Sequence, residues 1–117
     1  MLFKQILKRI LGLVLVMLVE MAIACSTPAL AADAPNGAKI FETQCAGCHI
    51  NGGNIIRRGK NLKQKALKKY GMDSVEAIAN IVTNGQGNMS AYKDRLTAEE
   101  IQAVSAYVLK QAETGWR

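Results

Sequence analysis

Cys45, Cys48 and His49, the residues best suited to chemistry in this chain, fall within one run of five residues. The two thiols are three positions apart, and the imidazole follows the second thiol directly. This Cys-x-x-Cys-His spacing is the attachment pattern of a c-type haem, whose vinyl groups form thioether bonds with both cysteines. The adjacent His49 can then ligate the iron. The motif therefore predicts one covalently bound haem c.

A second iron ligand must come from elsewhere, because the sequence contains one histidine. Histidine paired with methionine is the ligand set that raises the reduction potential of c-type cytochromes. Met72, close to a predicted helix end, and Met89, in a loop rich in Gly and Asn, compete for this role. Such a loop can bend over the far face of the haem, which favours Met89, although a lone methionine often only fills a core.

Three other interpretations of the cysteines are open from the pattern alone. A disulfide between Cys45 and Cys48 would close a very small loop and stabilise the chain little. A thioredoxin-like dithiol would require a βαβ pattern, which the sequence lacks. A zinc site would need about four ligands, and this cluster supplies fewer. A haem is better supported, because a domain this small needs an apolar staple around which to fold.

Residues 1–31 have the pattern of a removable export signal, with a basic start, an apolar run over residues 10–24 and small residues that suit cleavage. We expect cleavage after Ala31, which leaves a domain at residues 32–117 and removes Cys25. An uncleaved anchor and a lipoprotein linked through Cys25 are the alternatives. The apolar run is shorter than the roughly 20 residues of a membrane span, and it lacks the leucine expected before a lipidated cysteine.

The sequence predicts an all-α domain of about four helices. No stretch alternates apolar and polar residues with the period of two that a strand requires. The expected helices start near Pro35 behind Asp33, run over residues 62–70 to Gly71, run over residues 75–83 behind a cap at Ser74, and run from a Thr97–Glu100 capping box to about Ala112. The positions expected to face inward are Ala66, Leu67, Tyr70, Val75, Ile78, Ala79, Val82, Ile101, Val104, Tyr107 and Val108.

Residues 57–69 contain seven basic residues and no acidic one, in a chain of net charge +6. This run is either the solvated face of a helix or a docking surface for an acidic partner, since a patch of one charge steers encounter. Nucleic acid is not an expected partner, because no aromatic residues are interleaved with the cations. Ile55 and Ile56, just before the run, are expected to fold onto the cofactor.

Short motifs along the mature chain carry a resemblance to one family. They lie at residues 32–33, 37–41, 45–49, 70–72, 74–78, 83–85, 107–109, 111–113 and 115–116. Together they resemble cytochrome c6, the haem carrier of cyanobacterial and algal thylakoid lumens. The resemblance implies a class I cytochrome c fold whose first and last helices cross near Gly37, Phe41 and Tyr107. It also implies that His49 and Met89 are the axial ligands, and that Arg95 is the arginine after the methionine loop.

The resemblance further implies a soluble single-haem electron carrier in the thylakoid lumen or periplasm. Such a carrier moves one electron between the cytochrome b6f complex and photosystem I or a terminal oxidase. It would be a monomer that docks transiently and electrostatically on cytochrome f and on the acceptor complex, without a small-molecule substrate. The sequence has no second histidine and no evident acid–base pair at the site, so an enzyme is not predicted. A haem sensor or weak peroxidase with a displaceable Met89 is an alternative.

Two positions depart from the family pattern. Ser90 follows Met89 where the family has proline, and this should loosen the loop. Ile81 stands where cytochrome c6 commonly carries a glutamine near the haem edge. A group of c6-like proteins with an aliphatic residue there is associated with a lower reduction potential, which fits the loss of a hydrogen-bonding amide beside the porphyrin. The alternative function is therefore a lower-potential c6-like cytochrome with a different partner.

Overall fold

The computed structural model describes residues 1–24 and 35–117 of the chain, which fall into two separate compact units. The first unit contains helix α1, Leu2–Ala24. No helix within the described residues is both long enough and apolar enough to cross a membrane. Cys25 and the expected cleavage point at Ala31 lie outside the described residues, so the export signal stays a prediction.

The second unit is helical, and no strand occurs in the part of the chain that the structure describes, which confirms the predicted all-α class. One isolated bridge joins Gln86 and Met89. The elements in order are α2 Gly37–Ile40, a π-helical turn Phe41–Cys45, α3 Ala46–His49, a 3-10 turn Ile50–Gly52, α4 Gln64–Lys69, α5 Val75–Asn84 and α6 Ala98–Thr114.

The first helix of this unit begins later than the sequence predicted. Pro35 lies before it, and Asn36 is the capping residue, whose side chain accepts a hydrogen bond from the Lys39 amide at 3.2 Å. Asp33, the expected cap, lies outside the described residues. The helix is also interrupted by the π-helical turn Phe41–Cys45, which no sequence signal indicated. Turns of this kind occur frequently at functional sites.

The caps of the two longer helices are confirmed. The Ser74 hydroxyl accepts a hydrogen bond from the Ala77 amide at 3.1 Å at the start of α5. At the start of α6, the Thr97 hydroxyl accepts from the Glu100 amide at 3.2 Å, and the Glu100 carboxylate accepts from the Thr97 amide at 2.8 Å. These reciprocal bonds form the predicted capping box. The helix ends at Thr114, slightly beyond the predicted end.

The core lies where α5 and α6 pack against the helical stretch 37–49 and α4. Its buried members are Phe41, Leu67, Ile78, Ala79, Val82, Ile101, Val104, Val108 and Ala112. Most of the predicted stripe is thus confirmed, although Val75 is only half-buried. Tyr70, a predicted inward position, lies outside this core and is 40% exposed. The reason is that α4 ends at Lys69 and Tyr70 is its C-cap.

The stretch 37–49 crosses α6 at the point that the resemblance implied. A Cβ atom on Gly37 would overlap the backbone carbonyl of Ala103 and would contact Tyr107. Beside this crossing, the rings of Phe41 and Tyr107 have their centroids 5.5 Å apart. Only glycine lets the two backbones approach so closely. The crossing fixes the position of the residues that follow Phe41, including Cys45.

Candidate cofactor site

A cleft of about 600 Å³ lies beside this core, between the stretch 37–49, α4, α5 and the loop after α5. Its volume falls within the roughly 300–1,000 Å³ of known ligand and cofactor sites. All the site residues predicted from the sequence line it, namely Cys45, Cys48, His49 and Met89. Residues separated by 40 positions in the sequence are therefore brought to one cavity.

The two thiols occupy the wall formed by the π-helical turn and α3. Cys45 is half-buried and Cys48 is exposed, and both are free. Burial raises the pKa of the Cys45 thiol to about 11. A thiol protonated at neutral pH is a poor nucleophile and a poor redox group, so the dithiol interpretation loses support. The spacing of three positions in a helical backbone places both residues on one face.

The imidazole of His49 has one nitrogen held and one nitrogen free. Its Nδ1 lies 2.8 Å from the carbonyl oxygen of Gly53. Because a carbonyl oxygen can only accept a hydrogen bond, Nδ1 carries the proton and donates it. The Nε2 lone pair is then available as a ligand, and a hydrogen bond of this kind orients metal-bound histidines in general.

Met89, the last of the predicted site residues in the sequence, lies on a small hairpin. The Gln86 amide donates to the Met89 carbonyl and the Met89 amide donates to the Gln86 carbonyl, each at 3.0 Å. The Tyr92 amide further ties the following segment to the Val82 carbonyl of α5 at 2.9 Å. Met89 is half-buried and lines the cleft. The loop is therefore closed by its own backbone hydrogen bonds, with Ser90 directly after Met89.

Met72 also lines the cleft, so the structure brings both candidate methionines to the site. Its amide donates a hydrogen bond to the Leu67 carbonyl at 2.8 Å, which fixes the chain after α4. The two methionines differ in their local structure: Met72 follows the end of α4, whereas Met89 lies on the hydrogen-bonded hairpin. Substitution of each methionine distinguishes between them.

The apolar wall of the cleft is built mainly by α4 and α5, with Leu67, Ile78 and Val82 among its lining residues. Ile81 is half-buried in the same wall. Ile56 lines the cleft as expected, although it is 56% exposed. Ile55 is 63% exposed and does not line it, so the expectation that this pair folds onto the cofactor is wrong for Ile55.

Gln44 and Gln86 line the cleft as well, and sequence reasoning missed both. Neither residue belongs to a recognisable motif, and each reaches the cavity only through the fold of its loop or turn. Their side-chain amides are hydrogen-bonding groups in the same cleft that the apolar Ile81 lines. No local sequence signal could have identified them.

Basic side chains surround part of the cleft mouth. All seven basic residues of the run 57–69 are exposed, and Arg57 and Lys60 line the cleft. The ammonium groups of Lys60 and Lys69 each lie 5.3 Å from the centroid of the Tyr70 ring, which also lines the cleft. In the described part of the chain the one ion pair is Lys39 with Glu42, so these cations are not neutralised there.

Arg95, which the resemblance places after the methionine loop, lies outside this basic run. It is exposed, and its guanidinium group lies 4.9 Å from the centroid of the Tyr92 ring. Its amide donates to the Tyr92 carbonyl at 2.9 Å. Arg95 therefore packs on the segment that follows Met89.

The residues of the cleft fit a covalently held haem. Two thiols, an imidazole with a free nitrogen, a thioether and an apolar wall are the groups that a c-type haem requires. Within residues 1–24 and 35–117, no group of three or more His, Cys, Asp and Glu side chains is placed to hold a metal ion by itself.

Comparisons with known proteins agree with this chemistry. A family model for cytochrome C oxidase, cbb3-type, subunit III matches residues 32–108. The chain is 62% identical to a cytochrome c6-like protein of Nostoc sp. (strain PCC 7120) and 50% identical to the cytochrome c6 of the same organism. Each alignment covers 95% of this chain and 100% of the relative.

A solved structure supports the same assignment of fold. The crystal structure of cytochrome c6C from Synechococcus sp. PCC 7002 matches with a TM-score of 0.67 and 70% sequence identity. The match covers 68% of this chain and 98% of that chain. The fold is therefore that of the class I cytochromes c.

Proposed function

This chain belongs to the cytochrome c6 family, and we propose that it is a soluble one-electron carrier whose haem iron is ligated by His49 and Met89. The family consists of electron carriers rather than enzymes, and its members bind one haem c covalently. One observation carries the assignment of residues: Cys45, Cys48, His49 and Met89 line a single cleft. Met72 lines it too, and Met89 is preferred because it lies on the hydrogen-bonded hairpin.

Each of the four residues would hold the cofactor in a different way. Cys45 and Cys48 would bind it through two thioether bonds, and His49 would bind the iron through Nε2 while Gly53 holds Nδ1. Met89 would supply the second iron ligand from its hydrogen-bonded hairpin. When bound, the haem supplies an iron that alternates between Fe(III) and Fe(II) and so carries one electron.

The remaining lining residues would form the environment of the haem. Apolar side chains of α4 and α5 line part of the cleft and would limit the contact of a bound haem with water, one of the factors that set a haem potential. If His49 and Met89 both hold the iron, the protein supplies both ligands and a substrate would first have to displace one of them. This is the arrangement expected of a carrier.

We place this carrier in the thylakoid lumen or periplasm, as a monomer released from the signal at residues 1–31. Its proposed route runs from the cytochrome b6f complex to photosystem I or a terminal oxidase. The exposed cations beside the cleft mouth support docking on acidic surfaces of such complexes. Contacts of this kind are small and short-lived, and charge steering raises their rate of formation.

A second candidate function is a lower-potential c6-like carrier with a different partner. Two observations favour it. The chain is more similar to the c6-like protein of Nostoc than to the cytochrome c6 of the same organism, at 62% against 50% identity. Ile81, whose apolar side chain cannot donate a hydrogen bond, lines the cleft.

The test is expression of the full chain in a host that matures c-type cytochromes, followed by mass spectrometry and potentiometry. We expect a product that begins after Ala31, carries one haem that survives acid–acetone extraction, and shows the far-red absorption band of iron–methionine ligation. Loss of the haem in the Cys45→Ala/Cys48→Ala variant is the matched control. A protein without covalent haem would contradict the proposal. The measured potential then decides between the two candidate routes, since a high potential suits reduction of photosystem I.

A further inference from the structure

We infer that Trp116 is a positioning residue for the iron ligand His49, acting through the turn at Gly52 and Gly53. The inference rests on the proposed ligation by His49. Trp116 is far from His49 in the sequence, but its ring lies against Gly52, next to the residue that accepts the His49 hydrogen bond. Each link between them is a contact in the structure.

The first link is the end of α6, which directs Trp116 back toward the start of the domain. Gly115 has a left-handed backbone conformation, and the Trp116 amide donates to the Gln111 carbonyl at 2.8 Å. This is the hydrogen-bond pattern that reverses a chain after a helix. Trp116 itself has a φ of 59°, which is rare for a bulky residue, so its surroundings must hold it in place.

The second link is the packing of the indole ring of Trp116. Its centroid lies 5.1 Å from that of Phe41 and 6.3 Å from that of Tyr107. Gly52 lies directly against the ring, because a Cβ atom on Gly52 would overlap the indole nitrogen and its neighbouring carbons. Only a glycine permits this approach, and Gly52 is buried beneath the ring.

The third link joins the ring and the turn to the same residue. The indole N–H donates to the Leu62 carbonyl at 3.0 Å, and the Leu62 amide donates to the Gly52 carbonyl at 2.8 Å. Trp116, Leu62 and Gly52 therefore form a closed set of contacts. The turn cannot shift without breaking one of these two hydrogen bonds or opening a gap beneath the indole.

The last link reaches the ligand. Gly53 follows Gly52, its amide donates to the Ile50 carbonyl at 2.9 Å, and its own carbonyl accepts the Nδ1 proton of His49 at 2.8 Å. The position of that carbonyl sets the orientation of the imidazole ring. Hydrogen-bonding partners of a ligating histidine tune its metal site, so a displaced turn should change the ligand and not only the stability of the fold.

The experiment follows the His49 Nδ1 proton in the holoprotein by NMR hydrogen exchange. The variants are Trp116→Phe, which keeps a ring over Gly52 but loses the N–H donor, and Trp116→Leu, which loses both. We expect exchange to quicken about fivefold in Trp116→Phe, the change that one hydrogen bond of about 1 kcal/mol corresponds to, and further in Trp116→Leu. The reduction potential should shift in the same order.

The control is Val104→Ala, which weakens the core of α6 at a residue that is 1% exposed and is not one of the residues that link Trp116 to His49. If it quickens exchange as much as the Trp116 variants do at equal loss of global stability, Trp116 only supports the core and the inference is wrong. A His49 ring without iron-shifted resonances in the unsubstituted protein would instead contradict the proposed ligation. The two failures are therefore distinguishable.

Discussion

The Tyr92 hydroxyl donates a hydrogen bond to the backbone carbonyl of Gln44 at 3.0 Å, across 48 positions of sequence. Gln44 directly precedes Cys45, and Tyr92 lies on the segment that follows Met89. Both residues line the cleft. The bond therefore joins the wall that carries the thiols to the segment that carries the proposed methionine ligand.

Removing this bond should loosen the methionine side of the cleft. We expect Tyr92→Phe to lower the free energy of unfolding by about 1 kcal/mol, the usual net value of a neutral hydrogen bond. We also expect external imidazole to displace the methionine ligand more readily, which a titration of the far-red absorption band measures. Tyr70→Phe is the control, since it removes the hydroxyl of another tyrosine that lines the cleft and is 40% exposed. Equal imidazole affinity in both variants would show that the bond does not hold the segment.

Substitution of the two cleft methionines should identify the ligand. Met89→His is expected to keep a six-coordinate iron, to lose the far-red band and to lower the reduction potential, because the methionine–histidine pair raises it. Met72→Leu, at the other methionine lining the cleft, should leave the band and the potential nearly unchanged. Potentiometry and absorption spectra check both variants. Loss of the band in Met72→Leu alone would transfer the ligand role to Met72.

The residue at position 81 should affect the potential through hydrogen bonding. Ile81→Gln adds an amide donor to the cleft wall, and we expect the reduction potential to rise. Ile81→Leu keeps the wall apolar with a similar volume and should change the potential little. A redox titration of the three proteins makes the comparison. An unchanged value in Ile81→Gln would mean that this position is not the determinant, and the photosystem I route would then gain support.

The helix crossing should tolerate no side chain at Gly37. Gly37→Ala places a Cβ atom into the Ala103 carbonyl, so α6 must move away, and we expect a loss of about 1–3 kcal/mol, typical of overpacking. Gly59→Ala is the matched control, because a Cβ atom there meets no neighbour within 4 Å and the backbone φ is not positive. Chemical denaturation measures both. A Gly59→Ala loss as large as that of Gly37→Ala would contradict the close crossing.

The basic surface at the cleft mouth should make partner reduction sensitive to salt. We expect the association rate with an acidic redox partner to fall as ionic strength rises, since salt screens the steering charges. Lys60→Gln/Lys69→Gln should lower that rate and flatten its salt dependence. Lys93→Gln/Lys110→Gln removes the same charge at exposed positions away from the cleft lining. Stopped-flow kinetics compare the two. Equal effects would show that only net charge matters.

Much of this protein was determined by short stretches of its sequence. The Cys45–His49 motif, the capping box at Thr97 and Glu100, and the apolar spacing of α5 are each local, and local spacing translates directly into a helical face or a cap. For the same reason the sequence predicted the all-α class, the haem and the two candidate methionines.

The tertiary structure alone decided how these parts meet. Four features have no signature in neighbouring residues: the π-helical turn that ends at Cys45, the exposure of Tyr70, the bond from Tyr92 to Gln44 and the contact of Trp116 with Gly52. They depend on contacts between positions far apart in the chain, whose geometry is set by the packing of α5 and α6 and the crossing at Gly37. Local spacing thus specified the chemical groups of the site, while long-range packing fixed their orientation.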